Sequence, residues 1–296
     1  MTVQSSPKPQ ISISGVQPIA ADIQYPISNI DQPRAFTLPL PSFPTIILGL
    51  ASLLGLVAFL SPFFGNPEQR ANMGMAHGND ALLMLSMLSI LALASVVASI
   101  QSGQMSSKTL AVLGALAAVG AVLRFLPGPA GFSAIFFLPI LAGYAFGAQF
   151  GFLSGLTTLL ASAFLTGGVG PWLPYQMFAA GWIGAAAGLL PHPSSNSRRE
   201  LVLLAATGLI LGLLYGVVMN LWFWPFVFQP AQSEIYWEPG AGIGDALKRY
   251  SLFYLTTSFV WDLWRGIGNA ALILLFGAPV LRLLRRYERR FRFVRG

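Results

Sequence analysis

Long uncharged runs, separated by short clusters of Gly, Pro, Ser and charged residues, set the pattern of this chain. They fall at 45–64, 81–100, 108–126, 132–148, 150–166, 172–190, 201–226 and 250–281. A bilayer core takes about 20 apolar residues of helix, so the pattern predicts eight membrane-spanning helices and an all-α polytopic membrane protein. The stretch 132–166 is too long for one span, and a turn is expected at Gly147-Ala148-Gln149. "PHPSSNSRRE" (191–200) joins helix breakers to a basic pair and marks the clearest boundary. Residues 1–43 are rich in Pro, Ser and Gln without apolar periodicity, the pattern of a disordered leader. They lack the basic start and apolar core of a secretory signal. No short alternating segments appear, which argues against a β-barrel.

Composition agrees with the pattern. The chain has 296 residues, 55% hydrophobic and 9% charged, whereas soluble domains are about 25% charged. With no cysteine, disulfides, thiolate metal sites and Cys nucleophiles are excluded. The two histidines, His77 and His192, lie in loop-like sequence far apart; both read as solvated, and no metal site is expected. The net charge of +7 is concentrated in the tail 282–295, "RLLRRYERRFRFVR". In a membrane chain such a tail orients the protein at the anionic inner leaflet, and this reading is preferred to nucleic-acid binding. With the N-terminus inside, 12 Lys and Arg fall on the inner side and 4 (Arg70, Arg124, Lys248, Arg249) on the outer. Both termini are therefore expected in the cytoplasm.

This orientation sends three loops rich in Gly, Pro and aromatics to the outer face: 124–133, "TGGVGPWLPYQ" (166–176) and 227–249. Pro171 sits where a helix is expected to begin, and Gly167, Gly168 and Gly170 allow positive φ or close approach. Gln176, one turn beyond Trp172, presents an amide that needs a partner or a ligand. Asn220 precedes Trp222 and Trp224, and the headgroup belt is the ordinary explanation for those tryptophans. Asp262 and Arg265, three apart, can share a helix face as a structural ion pair, a polar pocket floor or a partner contact. Along 108–125, Ala111 and Ala115, Gly114 and Ala118, and Ala117 and Ala121 repeat at four, a spacing that lets helices approach closely in lipid. Enzyme signatures are missing. There is no Walker A sequence, Ser154 has no histidine base within the spans, and Asp262 has no second carboxylate deep in a span.

Three segments resemble one family: "FFLPILAGYAFGAQFGFLSGLTTLLASAFLTGGVGPWLPYQMFAAGWIGAAAGLLP" (136–191), "GLLYGVVMNLWFWPF" (212–226) and "FYLTTSFVWDLWRGIGNAALILLFGAPVLR" (253–282). From about 108 to 290 the chain is similar to the substrate-binding membrane subunit (S component) of energy-coupling factor (ECF) vitamin transporters. That resemblance implies a six-helix bundle at 105–290, preceded by the leader (1–43) and an extra transmembrane hairpin (44–104), and followed by a basic tail end (291–296). It also implies a multi-pass protein of a bacterial plasma membrane, without catalysis or cofactor. The partners would be a membrane T component and two cytosolic ATPases. Substrate would be held from outside, with Arg124, Trp172, Gln176, Asn220, Trp222, Tyr236, Trp237, Asp262 and Arg265 as candidate contacts and a cobalamin-like corrinoid, riboflavin or thiamin as ligand. Ala111 and Ala115 would match the surface that docks the T component. The family pattern has no counterpart for the hairpin. A non-transport membrane scaffold and an intramembrane enzyme using Asp262 are the alternatives from other classes.

Overall fold

The structure, a computed structural model, describes residues 42–65, 76–78, 80–125, 132–192 and 198–292, all within one compact unit that runs from Pro41 onward. The expected leader, apart from its last two residues, and the end of the basic tail lie outside the described residues. Among the described residues the secondary structure is helical. The helices are α1 (Phe43–Leu60), α2 (Ala81–Gln101), α3 (Ser107–Leu123), α4 (Phe137–Phe146), α5 (Ala148–Thr166), α6 (Leu173–Gly188), α7 (Arg198–Phe223), α8 (Ile243–Thr257) and α9 (Phe259–Arg292). Among the described residues, five segments have the length and apolarity to cross a membrane: Phe43–Phe64, Ala81–Gln101, Ala148–Thr166, Arg198–Phe226 and Phe259–Arg290.

Local chemistry explains the boundaries. Pro44 lies in the first turn of α1, where no intrahelical N–H is lost. The Ser106 hydroxyl accepts from the Thr109 N–H and caps α3. The expected turn is at Gly147, whose φ of 99° suits glycine and separates α4 from α5. The expected run 250–281 is not one helix. α8 ends at Thr257, and α9 starts at Phe259, after Ser258, and continues to Arg292. Three successive hydroxyls sit at this break. Thr256 and Thr257 donate to the carbonyls of Leu252 and Phe253, and Ser258 turns outward to donate to Asn220 Oδ1 at 3.1 Å. Hydroxyls that bond locally compete with the helical ladder.

The centre of the bundle is built by contact between backbones. α5 and α6 form the most extensive helix pair, with α4 against both. A Cβ on Gly151 would stand 2.1 Å from the Gly184 carbonyl oxygen, and one on Gly143 2.0 Å from the same atom. No side chain fits there. α4, at 10 residues, is much shorter than a span, yet Phe137 through Tyr144 are all buried. A helix apolar on every side belongs in a core. α7 packs on α9 by the same device: Gly212 meets the Gly266 backbone, and Gly216 faces the Asp262 carboxylate. The α1–α2 hairpin packs against α6, and α1 also touches α5 and α7.

Candidate functional site

Side-chain contacts define the two ends of the bundle. One end gathers the α1–α2 turn, the C-termini of α3, α5 and α7, the N-terminus of α6 and the α8–α9 junction. The other gathers the α2–α3 and α4–α5 turns, the N-terminus of α7 and the C-terminus of α9.

The second end is cross-linked by ionic and polar bonds, beside clefts of about 610 Å³ at the α2–α3 and α4–α5 turns and about 280 Å³ between Glu200 and Arg282. Glu200 is buried at the start of α7, where the Tyr144 hydroxyl donates to it at 2.8 Å and Arg285 of α9 pairs with it. His192 is exposed as expected of a loop residue, and it also stacks on Tyr144 with ring centroids 4.4 Å apart and donates to the Tyr144 carbonyl at 2.9 Å. Gln149 bonds to Ser99, tying the α4–α5 turn to the hairpin. Arg285 thus does more than orient the chain. Glu200 is also a second buried carboxylate that the sequence reading did not recognise.

The first end holds the sequence-predicted residues, on two flanks of α7. On one flank a cleft of about 180 Å³ is lined by Tyr215, Gly216, Met219, Asn220, Ser258, Trp261, Asp262 and Arg265. Asp262 is buried and pairs with Arg265, whose guanidinium lies 5.2 Å from the centre of the Tyr215 ring. Gly216 makes room for the pair, since a Cβ there would overlap the Asp262 carboxylate. Asn220 accepts from Ser258, but its Nδ2 has no partner, and neither has Asp262 Oδ2. The cleft therefore combines a fixed charge pair with unsatisfied polar atoms. Tyr215 and Ser258 were not anticipated; the run Thr256-Thr257-Ser258 inside an apolar stretch was the available signal.

On the other flank Trp172 and Trp222 meet beside His77 of the hairpin turn, and Gln176 lies one helical turn beyond Trp172. Gly167 ends α5 in the left-handed conformation (φ 65°). The Trp172 ring folds back over Gly170, and its Nε1 donates to the Gly168 carbonyl at 3.2 Å. α6 begins at Leu173, and the proline in its first turn is Pro174 rather than Pro171. Trp172 meets Trp222 edge to face at 6.4 Å. Trp222 is buried with its Nε1 unpaired, and Gln176 Oε1 is likewise buried without a partner.

His77 corrects the expectation of a solvated loop residue. It is 4% exposed and is enclosed by Tyr175, Trp222 and Phe226. Its Nδ1 lies 2.8 Å from Asp80 Oδ2 and 2.8 Å from the Tyr175 hydroxyl, which also donates to Asp80 at 3.1 Å. Burial pushes the Asp80 carboxyl up, but the hydrogen bonds and charge supplied by His77 and Tyr175 outweigh it and hold the group below its ordinary value.

The remaining candidates are set apart. Tyr236 and Trp237 join Trp224, Val227 and Phe253 in a separate apolar cluster, with Phe63 of the hairpin packed on it. The Trp224 Nε1 donates to the Ile235 carbonyl at 2.9 Å. Trp222 and Trp224 are thus buried in the protein, and the belt explanation does not describe them. Arg249 ties this cap together through Glu238 and Asp245, each at 2.7 Å. Arg124, at the end of α3, donates to Ser162 of α5 at 3.0 Å. On α3, Ala117 and Ala121 are buried, and Gly120 lies against Thr158 of α5. Ala111, Gly114, Ala115 and Ala118 form an exposed small-residue face. Among the described residues no cluster of His, Cys, Asp or Glu could hold a metal ion.

Neither curated proteins nor solved structures supply a match to this chain. A family model does: that of the substrate-specific component of ECF transporters, over residues 108–276, more than half of the 296-residue chain. The matched region starts at α3 and contains the cleft, the Trp172–Trp222 pair and Gln176, while the hairpin lies before it. The chain belongs to the ECF transporter substrate-specific component family.

Proposed function

We propose that this chain captures a vitamin or vitamin precursor at its outer face and delivers it inward with a T component and two cytosolic ATPases. The observation that carries the reading is the asymmetry of the two ends. One is tied by a buried ionic network, whereas the other collects aromatic faces and buried polar atoms without partners. Small-molecule sites combine apolar walls with a few such polar groups.

In this reading α1–α7 and α9 make the eight passes, the short α4 as a pass buried inside the bundle, and α8 lies at the outer end. Both termini then fall on the inner side of a bacterial plasma membrane, the orientation that the Lys and Arg distribution favours. Trp172, Gln176 and Trp222 form one wall of the site, Asn220, Asp262 and Arg265 the other. Tyr236 and Trp237 support the outer cap, and Arg124 braces α3 on α5. The exposed face at Ala111 and Ala115 is the surface offered to the T component. The hairpin, packed on α5, α6 and α7, leaves those residues exposed.

Sequence likeness favours a cobalamin-like corrinoid. Riboflavin or thiamin is the second reading, favoured by the closely spaced flat rings at the Trp172–Trp222 wall. The test is uptake of each labelled vitamin into cells lacking every T component, with and without a co-expressed energising module. Accumulation should require the module, whereas binding to the purified chain should not. Concentrative uptake by the chain alone would contradict the importer reading.

A further inference from the structure

The hairpin before the family region reaches the outer end through one turn, and that turn ends in a buried imidazole. We infer that His77 is a ligand-contacting residue of the outer site, which would make the hairpin part of the binding machinery. This rests on the vitamin-capture reading and extends it to a segment that the family match does not cover.

Three observations carry the inference. First, His77 has a φ of 56°. Left-handed backbone is unfavourable for a side-chain-bearing residue and persists where the surroundings hold it. Second, the ring is aimed. With Asp80 ionised, Nδ1 carries the proton and donates to Asp80 Oδ2, while Tyr175 donates to the same carboxylate oxygen. The remaining nitrogen, Nε2, lies on the far edge of the ring from that carboxylate. Third, Nε2 is buried without a hydrogen-bond partner, and so are Trp222 Nε1 and Gln176 Oε1. Packing alone would place apolar residues here, because a buried unsatisfied polar group is unfavourable. Three of them at one end of the bundle point to a partner from outside the chain.

The chemistry of these atoms defines the ligand class. Gln176 Oε1 accepts a hydrogen bond, Trp222 Nε1–H donates one, His77 Nε2 offers a third polar atom, and the walls are flat rings. A flat nitrogen heterocycle with donor and acceptor groups on its edge fits this set. Asp80 and Tyr175 act through His77 as positioning residues.

The test uses the full chain, purified and titrated with riboflavin, thiamin and cyanocobalamin while tryptophan fluorescence and heat are followed. His77→Ala should weaken binding of a heterocyclic probe about 5- to 150-fold, the loss typical of a buried hydrogen bond. His77→Gln, whose amide reaches the place of Nε2, should recover part of that loss. His77→Asn, which keeps a polar atom only toward Asp80, should not. Thermal unfolding is recorded for every variant; if His77→Ala fails to fold, the Gln and Asn variants carry the comparison. Binding indifferent to His77→Ala, or an Asn variant as tight as the parent, would overturn the inference alone and reduce His77 to a structural role. If none of the three probes binds the folded parent, the vitamin reading itself falls, and this assignment falls with it.

Discussion

Removing either member of the Glu200–Arg285 pair should destabilise the bundle strongly, and removing both should not. The Glu200 side chain is 2% exposed and that of Arg285 14%, so each charge is largely desolvated in the folded chain. Breaking a buried pair by deleting one partner typically costs about 3–5 kcal/mol, because the other charge is left uncompensated. The residual exposure of Arg285 places Glu200→Leu near the lower end, about 3 kcal/mol. Arg285→Met removes the cation from the more deeply buried member of the pair and belongs higher in the range, about 4 kcal/mol. Replacing both with apolar residues removes both desolvation penalties, and the double variant should lie within about 1 kcal/mol of the parent. The assay is unfolding of the detergent-purified chain by SDS titration, with the two single variants and the double variant forming a thermodynamic cycle. Losses that simply add in the double variant, or single variants within about 0.5 kcal/mol of the parent, would refute the argument. Affinity for ligand at the other end should change little.

Further predictions concern the outer end and the partner surface. Trp172→Ala and Gln176→Ala should each weaken vitamin binding about 5- to 150-fold by calorimetry, an aromatic contact or buried hydrogen bond being worth about 1–3 kcal/mol; unchanged affinity in both would reduce 166–176 to a turn. Trp224→Ala, in the cap cluster, should lower thermal stability more than affinity, and the reverse order would place it in the site. Ala111→Trp with Ala115→Trp should abolish co-purification with the T component while binding persists; parallel loss of binding would show that this face is bundle core. Single cysteines at Ala231 and Arg199 should label and resist labelling, respectively, with a membrane-impermeant thiol reagent in intact cells, and the opposite result would invert the topology.

Features set by local sequence were legible before the structure. Gly147 was marked by the length of the run around it, and the Asp262–Arg265 pair by helical spacing. Small-residue spacing is conspicuous where Ala is abundant, in α3, whereas the glycines of α7 at 208, 212 and 216 are spread through a long apolar run that hides them. Those three form the contact with α9 and open the cleft at Asp262. The break at Ser258 was hidden because hydrophobicity continues through it. His77 was misread for a different reason. Nothing near it in sequence shows that Tyr175 and Trp222, far along the chain, close around its ring. Glu200 and Arg285 likewise acquire their meaning from a partner 85 residues away.

The central claim, that this chain by itself captures a vitamin at the end holding Trp172, Trp222 and Asp262, is tested most directly by equilibrium capture. The purified chain, without T component or ATPases, is incubated with a mixture of vitamins and washed, and the retained compound is identified by mass spectrometry. The account predicts that one vitamin is retained at near-equimolar amount and lost from the Trp172→Ala and Gln176→Ala variants. A folded chain that retains none would contradict it.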